Sequence, residues 1–308
     1  MSARTRRPAA VASAAARLAY GLLQAGPPGG AAKWTRTNHR GEPITLLEGP
    51  AVAIGAVAGA LAADGGGRER LAIALAGAGA AGFGSYDDLA GDGSNRGFRG
   101  HLGALRKGEL TTGAVKIAGI GATGLTAALV AGSPDGALAT GPAAVADLVI
   151  NTGLIAGGAN LLNLFDLRPG RAIKVAVAAG GLLSLTRRGR AATAAPLSAA
   201  IALLDEDLGE RSMLGDAGAN ALGAMLGAAA AATLPRPARL AALAFVTGLT
   251  AASEVVSFSG VIERTGPLRR LDMLGRRPAG PAAGQPAQDA EPAGRDRAPG
   301  AQHPAKAR

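Results

Sequence analysis

The sequence predicts an all-α fold, a polytopic integral membrane bundle of about nine transmembrane helices. Three observations favour it. Hydrophobic residues make up 48% of the 308 residues, only 3% are aromatic, and 48 are glycine. A soluble core of such small residues would bury little apolar area, whereas in a membrane they let helices pack closely. Stretches without a charged residue also recur along the whole chain.

These uncharged stretches mark the predicted helices, and residues 9–25 add a weaker first helix. The stretches are 49–63, 71–86, 117–134, 148–165, 175–186, 191–204, 217–235 and 240–253. A spanning helix needs about 20 mainly apolar residues, so several of them would need polar ends at the membrane interface. Counting the uncertain first helix, about 8 to 10 spans are expected.

Both ends of the chain have a different composition. The segment "RTRRP" precedes an alanine run, which is also typical of a secretory signal peptide, although Arg17 interrupts that run. Residues 275–308 are rich in Pro, Gly, Ala and Gln with scattered charge, a composition typical of disorder. We therefore expect a transmembrane domain over residues 1–274 and a disordered cytoplasmic tail over residues 275–308.

The distribution of positive charge predicts the orientation. With nine helices, the connections 33–48, 86–113, 165–174 and 205–216 and the segment from residue 256 lie at one end. They contain 20 Lys and Arg, against 10 at the other end. The positive-inside rule places the first end in the cytoplasm. Three arginines near the N-terminus, Arg4, Arg6 and Arg7, oppose this bias.

The composition also limits the chemistry of a site. The chain has no cysteine, which excludes disulfides, thiolate catalysis and cysteine-based metal sites. Its three histidines, His39, His101 and His303, are far apart in the sequence, so a histidine-rich zinc site is not expected. The net charge of +10 suits solvated basic loops and, alternatively, the binding of phosphates.

Paired acids followed by a basic segment are the most unusual local pattern. The stretch 71–86 ends in Asp87 and Asp88, and a glycine-rich segment with Arg99 and Lys107 follows. The acids alone would fit an ordinary membrane interface. Together with the basic segment they suit a divalent cation and the phosphate groups that share its coordination shell.

Two further polar groups fall at the same predicted end. Asn160, Asn163 and Asp166 recur every three residues, which puts them near one face of a helix end. Asp216 precedes another apolar run, where it would also serve as a helix N-cap. We expect the acid pair, Asp166 and Asp216 to gather into one Mg²⁺ pocket at the cytoplasmic interface.

Four segments in this order resemble motifs of the polyprenyl-phosphate N-acetylhexosamine-1-phosphate transferases. They are "TNHRGEPITLLEGP" (37–50), "YDDLAGD" (86–92), "NLLNLFDLRPG" (160–170) and "MLGDAGANALG" (213–223). The family includes phospho-N-acetylmuramoyl-pentapeptide transferase and its GlcNAc-1-phosphate relatives. The resemblance covers about residues 33 to 225, and the motifs are more specific as a set than singly.

The resemblance implies a Mg²⁺-dependent enzyme of the bacterial plasma membrane with a cytoplasmic active site, acting in peptidoglycan or related cell-wall synthesis. It would transfer a sugar-1-phosphate from a UDP-activated amino sugar to undecaprenyl or decaprenyl phosphate and release UMP. Its partners would be these substrates and membrane lipid, with no nucleic acid and with a homodimer as one open oligomeric state. The implied catalytic residues are Asp87, Asp88 and Asp216, with Asp88 and Asp216 as metal ligands, and the implied substrate-binding residues are Asn160, Asn163, Asp166, Arg99 and Lys107.

The sequence departs from the family pattern at several positions. Leu167 and Pro169 replace a glycine and an acid of the loop, and Ala217 and Ala219 replace two hydroxyl residues after the Gly-Asp pair. No histidine lies in 253–278, where the family has a histidine cluster for the donor pyrophosphate. A catalytically degenerate scaffold or carrier-lipid-binding protein on the same fold is therefore the alternative.

Overall fold

Helices make up most of the described chain, as the uncharged stretches predict. The computed structural model describes residues 3–64, 66–91, 111–132 and 141–278. Its helices are α1 (Ala3–Ala25), α2 (Glu48–Leu61), α3 (Gly67–Ala90), α4 (Thr112–Ala131), α5 (Pro142–Phe165), α6 (Arg171–Leu183), α7 (Arg187–Leu208), α8 (Gly215–Thr233), α9 (Arg236–Ser253), α10 (Phe258–Arg264) and α11 (Gly266–Met273). The all-α prediction is confirmed.

The first nine helices run alternately between two ends of the bundle. Gly84 packs on Asp216, and Gly77 packs on Met225, so α3 and α8 are antiparallel. The same reversal relates α1 to α2, α3 to α4, α4 to α5 and α6 to α7. We call the end that carries Asp216 the acid end and the other the opposite end.

Helix α8 lies at the centre of the bundle and packs against α3 and α5 along its length. Nearly all its side chains are buried, and most are Ala or Gly. Small residues permit this approach of the backbones. A Cβ atom on Gly158 of α5, for example, would lie only 2.6 Å from the main-chain oxygen of Gly223. The glycine and alanine content that argued against a soluble core is thus concentrated at helix contacts.

Only some of these helices meet the length and hydropathy expected of a membrane span. Within the described ranges, α4 and α5 do so. A third span results if α9 and α10, which meet at a bend of 93°, count as one. Helices α2 and α6 have 14 and 13 residues, and α1, α3 and α7 have charged residues in their first turns. By length and hydropathy the described helices therefore supply two or three candidate spans, and the prediction of about nine spans is not confirmed.

A short β-ribbon interrupts the helices at the acid end. Strands β1 (Thr35–Thr37) and β2 (Pro43–Thr45) are antiparallel, with Arg36 opposite Ile44. Thr45 also forms a parallel bridge with Ser212, and its main-chain oxygen accepts a hydrogen bond from the N–H of Met213 (3.0 Å). The ribbon thereby fixes the connection between α7 and α8 against the loop between α1 and α2.

The described residues up to Arg276 belong to one compact unit. The tail predicted over residues 275–308 lies, from residue 279 onward, outside the described residues. Arg99 and Lys107 of the basic segment also lie outside them, within the gap 92–110.

Candidate functional site

The acid end of α3 meets the first turn of α8. The two carboxylate oxygens of Asp88 accept hydrogen bonds from the main-chain N–H groups of Asp216 (3.1 Å) and Ala217 (2.9 Å). The first N–H groups of a helix lack intrahelical partners and carry partial positive charge, which favours a carboxylate there. Gly215 has φ +57° and would place a Cβ 3.0 Å from Asp88 Oδ2, so glycine suits both the backbone and the space.

A lysine joins the other two predicted catalytic acids. The Nζ atom of Lys116, on the first turns of α4, lies 2.6 Å from Asp87 Oδ2 and forms a second ion pair with Asp216 Oδ2. All three side chains are at most about a fifth exposed. The structure therefore brings Asp87, Asp88 and Asp216 together around one cation of the protein itself. Sequence reasoning missed Lys116, although it is the one charged residue in α4.

Asp166 reaches the same region from the end of α5. It is the C-cap residue of that helix and only 7% exposed. Its carboxylate faces the main-chain N–H of Gly215, and its Oδ2 atom is buried without a hydrogen-bond partner in the described structure. Burial, followed by the negative charges of Asp207 and Asp88, raises the pKa of Asp166 well above its usual value.

Two more buried acids, which sequence reasoning missed, lie behind this group. Glu48 is fully buried at the start of α2, where its Oε2 accepts a hydrogen bond from Ser212 Oγ (2.7 Å). Asp207 is 1% exposed near the end of α7. Each keeps one carboxylate oxygen buried and unpartnered among the described residues. Glu48 sits inside the first motif of the sequence, which was its only prior signal.

The β-ribbon and the α5–α6 connection form the wall of a small cavity next to these acids. The cavity measures about 170 Å³, and its lining includes Asn38, His39, Asp166, Arg168 and Asp207. Burial, with the nearby charge of Arg168, lowers the pKa of His39. An imidazole, an amide and a guanidinium thus line the cavity together with two carboxyl groups, so the cavity offers both donors and acceptors of hydrogen bonds.

The remaining predicted substrate-binding residues are placed less closely. Asn160 is exposed on α5, and Asn163 is half-buried one turn further along. Asn163 contributes its main-chain oxygen, which accepts a hydrogen bond from the N–H of Asp166 (3.0 Å). Another basic residue that sequence reasoning missed, Arg36 of β1, donates a hydrogen bond to the main-chain oxygen of Asp88. It ties the ribbon to the end of α3.

The donor set tests whether a magnesium ion fits here. Within the described ranges there is no group of three His, Asp or Glu side chains spaced to hold a metal. Mg²⁺ in enzymes, however, is commonly bound by one or two carboxylates together with substrate phosphates and water. Asp88 and Asp216 are neighbours of that type, although both Asp88 oxygens accept main-chain hydrogen bonds and Asp216 Oδ2 pairs with Lys116. They fit a substrate-assisted magnesium site but not one built from protein ligands alone.

No protein-family model matches this sequence, and a search of the curated proteins found no match either.

Proposed function

We propose that this protein is a membrane transferase that moves a sugar-1-phosphate from a UDP-activated amino sugar to a polyprenyl phosphate and releases UMP. One observation carries the proposal: the acids of three separate motifs, Asp87 with Asp88, Asp166 and Asp216, meet at one end of the bundle beside Lys116. Carboxylates in this number are costly to bury without a function. Their arrangement suits an enzyme that handles phosphates.

The proposal includes nine spans in the bacterial plasma membrane, with the acid end in the cytoplasm. Large apolar side chains on the outer surfaces of three helices support it, since Leu129, Val149 and Phe245 are 60%, 62% and 65% exposed. A soluble protein rarely leaves extended apolar surface uncovered. The excess of Lys and Arg in the connections of the acid end supports the orientation.

In the proposed reaction, an oxygen of the polyprenyl phosphate bonds to the sugar-bearing phosphorus of the donor. The bond from that phosphorus to the UMP oxygen breaks, and UMP leaves with the electron pair. Asp87 would accept the proton of the lipid phosphate, and Lys116 would donate hydrogen bonds to phosphate oxygens. Mg²⁺, held by Asp88 and Asp216 when bound, would neutralise charge on the pyrophosphate. Such catalysis depends mainly on positioning and charge stabilisation.

The cavity beside Asp166 supplies the proposed nucleotide contacts. Its mixture of donors and acceptors suits a polar heterocycle. Asp166 lines the cavity, and Asn163 lies just before it at the end of α5. Arg99 and Lys107 are proposed to hold the donor phosphates, as the sequence predicts. Leu167, which replaces a glycine of the family loop, and Pro169 form part of this wall and would bear on which sugar is accepted.

A non-catalytic scaffold that binds the carrier lipid is the second candidate. One observation favours it: Lys116 already forms ion pairs with both Asp87 and Asp216. A permanently satisfied ion pair of this kind would hold α3, α4 and α8 together structurally. Under this alternative the acids keep the fold and have no role in turnover.

The experiment that separates the two candidates is a UMP-release assay. The purified full chain is incubated in neutral detergent with labelled UDP-amino sugars, Mg²⁺ and undecaprenyl phosphate. Asp88→Asn and Asp216→Asn are each expected to lower turnover by about 10²-fold or more, because they remove charge stabilisation. Asp205→Asn, an exposed acid at the same end, is the matched control and is expected to keep full activity.

The contrary results are equally specific. Turnover that persists in both Asp88→Asn and Asp216→Asn would exclude the assigned site. If the wild-type protein turns over none of the common donors although all the variants are folded by circular dichroism, the scaffold is correct and the transferase is wrong. Lys116→Met adds a further distinction, because the enzyme would lose turnover whereas a structural ion pair would mainly lose thermal stability.

A further inference from the structure

A second polar cavity lies at the opposite end of the bundle, away from the acids. It measures about 700 Å³ and opens where α2 ends and where α3 and α7 begin. Four arginines line it, namely Arg70, Arg187, Arg188 and Arg190. This volume lies within the range of about 300–1,000 Å³ that is typical of pockets for organic ligands.

The positive charge of this cavity is only partly compensated. Its lining contains two acids, Asp64 and Glu69, against the four arginines. Asp64 pairs instead with Arg7 at 3.5 Å, and both side chains are more than half exposed. Glu69 is 3.9 Å from Arg188, at the limit of an ion pair. The guanidinium groups therefore carry excess charge that faces the cavity.

Two of the lining arginines also donate hydrogen bonds to neutral main-chain oxygens. Arg70 donates to the main-chain oxygen of Ala63 (3.2 Å), and Arg190 donates to that of Ser184 (3.2 Å). These bonds orient the side chains without neutralising them. A guanidinium presents five N–H donors, so each of these arginines retains donors for an anion.

The floor of the cavity and its surroundings are apolar. Ala60, Ile73 and Ala195 contribute to the lining. Outside the lining, at the end of α6 and in the turn that leads to Arg187, Leu182 and Leu185 are 71% and 78% exposed. The ligand that matches a cationic rim next to exposed leucines is an amphiphile, with a negatively charged head and a hydrocarbon chain.

We propose that this cavity binds the phosphate headgroup of an anionic phospholipid at the end of the bundle opposite the acid site. Arg187 and Arg188 contact the phosphate, and the acyl chains lie along Leu182 and Leu185. A free phosphate ion would fill only a small part of the volume and would leave the apolar floor without a partner. The lipid explains both halves of the cavity.

The proposal also accounts for a charge distribution that the orientation rule leaves unexplained. Ten Lys and Arg belong to the end that the positive-inside rule assigns to the outer face. Three of them, Arg187, Arg188 and Arg190, follow one another at the start of α7. A bound anionic lipid offsets part of this positive charge whichever way the chain is inserted. The inference therefore does not depend on the transferase proposed above.

The test measures lipid binding by the purified full chain in neutral detergent. Dioleoyl-phosphatidylglycerol, dioleoyl-phosphatidylcholine and inorganic phosphate are titrated separately, and bound lipid is counted by native mass spectrometry alongside thermal unfolding. Phosphatidylglycerol is expected to bind and raise the melting temperature, and the other two are not. Arg187→Gln/Arg188→Gln is expected to weaken binding by roughly tenfold or more, since it removes charge-assisted hydrogen bonds.

An adjacent pair of arginines at the acid end supplies the matched control. Arg269→Gln/Arg270→Gln removes the same charge from another exposed site and is expected to leave the affinity unchanged. Arg187→Lys/Arg188→Lys keeps the charge and is expected to retain most of the binding. Equal losses from both Gln pairs would mean non-specific attraction and overturn the proposal. Saturable binding of inorganic phosphate with the same dependence on Arg187, without binding of phosphatidylglycerol, would overturn it in favour of a free anion.

Discussion

A buried ion pair attaches the last two helices to the bundle, and we expect Asp272→Ala to release them. The carboxylate of Asp272 on α11 accepts hydrogen bonds from Arg171 Nε (2.7 Å) and Nη2 (3.1 Å) and from Arg276 Nη1 (2.8 Å). Lys174 donates to its main-chain oxygen (2.6 Å). Arg171 is 3% exposed and Asp272 8% exposed, so the pair is held away from water.

The size of the effect follows from the charge that the substitution leaves behind. Removing one partner of a buried ion pair costs about 3–5 kcal/mol, because the other charge remains buried and unpaired. The protein can limit that cost by letting α10 and α11 separate, which exposes Arg171 to water. We therefore expect local opening of residues 258–276 rather than unfolding of the bundle, with opening about a hundredfold more frequent for a loss of about 3 kcal/mol.

The pH dependence provides a second test of the Arg171–Asp272 ion pair. Burial alone would raise the pKa of Asp272, but the hydrogen bonds and charge of Arg171 hold that pKa below its usual value. A depressed pKa means that the stabilisation is complete above the unfolded value of 3.8 and is lost as the pH falls through the lower folded value. Opening of residues 258–276 should therefore increase in acid for the wild type and respond little in Asp272→Ala.

Hydrogen exchange followed by mass spectrometry measures this opening segment by segment. Glu263→Ala is the control, because Glu263 lies in the same segment but is 59% exposed and 3.8 Å from Arg168. An exposed pair of this kind contributes about 0–1 kcal/mol. The reasoning is refuted if Asp272→Ala leaves the exchange of residues 258–276 unchanged, or if Glu263→Ala accelerates it equally.

Two further predictions concern the core and the site. Gly158→Ala should lower the unfolding temperature, since its Cβ would lie 2.6 Å from the main-chain oxygen of Gly223, and overpacking costs about 1–3 kcal/mol. Gly121→Ala, where no atom lies within 4 Å, should be neutral or stabilising, and equal effects of the two changes would contradict the packing argument. Asp166→Asn should flatten the pH dependence of stability. Because the pKa of Asp166 is raised in the folded state, the folded wild-type protein is most stable at low pH and loses stability as the pH rises above 3.8, whereas the amide does not titrate. Thermal unfolding across pH values checks this, and an unchanged slope would count against a buried, high-pKa acid.

Much of the fold could be predicted because hydropathy and small residues act over whole helices. Uncharged stretches locate most of the helices, and the alternation of nine helices follows from their number. The first helix extends from Ala3 through Arg17 to Ala25, which the hydropathy pattern alone left open. The β-ribbon was not predicted, because its pairing with Ser212 depends on residues far apart in the chain. The bend between α9 and α10 was also missed, because no proline marks it in the sequence.

Prediction of the site was better for acids at helix ends than for buried charges. Asp88 and Asp216 end and begin apolar stretches, so their meeting follows from helices that alternate. Little in the sequence indicated that Lys116 belongs to the site, because one lysine near the start of a helix usually lies at a membrane interface. Glu48 was marked only by its place in the first motif and Asp207 by nothing, since their burial is a property of the assembled bundle. The sequence thus indicates which residues start near the acid end but not how deeply each is buried.

The energetic cost of the acid end is itself an argument about function. Among the residues that the structure describes, Glu48, Asp166 and Asp207 each keep a buried carboxylate oxygen without a partner. Leaving such a group unpaired costs about 1–3 kcal/mol, whereas an amide or an apolar residue of similar size avoids the charge. A bundle that needed these positions only for packing would gain stability by losing the acids. Their presence in one place, near the α8 N–H groups that Asp88 accepts from, therefore favours the proposed site, in which Mg²⁺ or a hydrogen-bond donor of the substrate would pair with them.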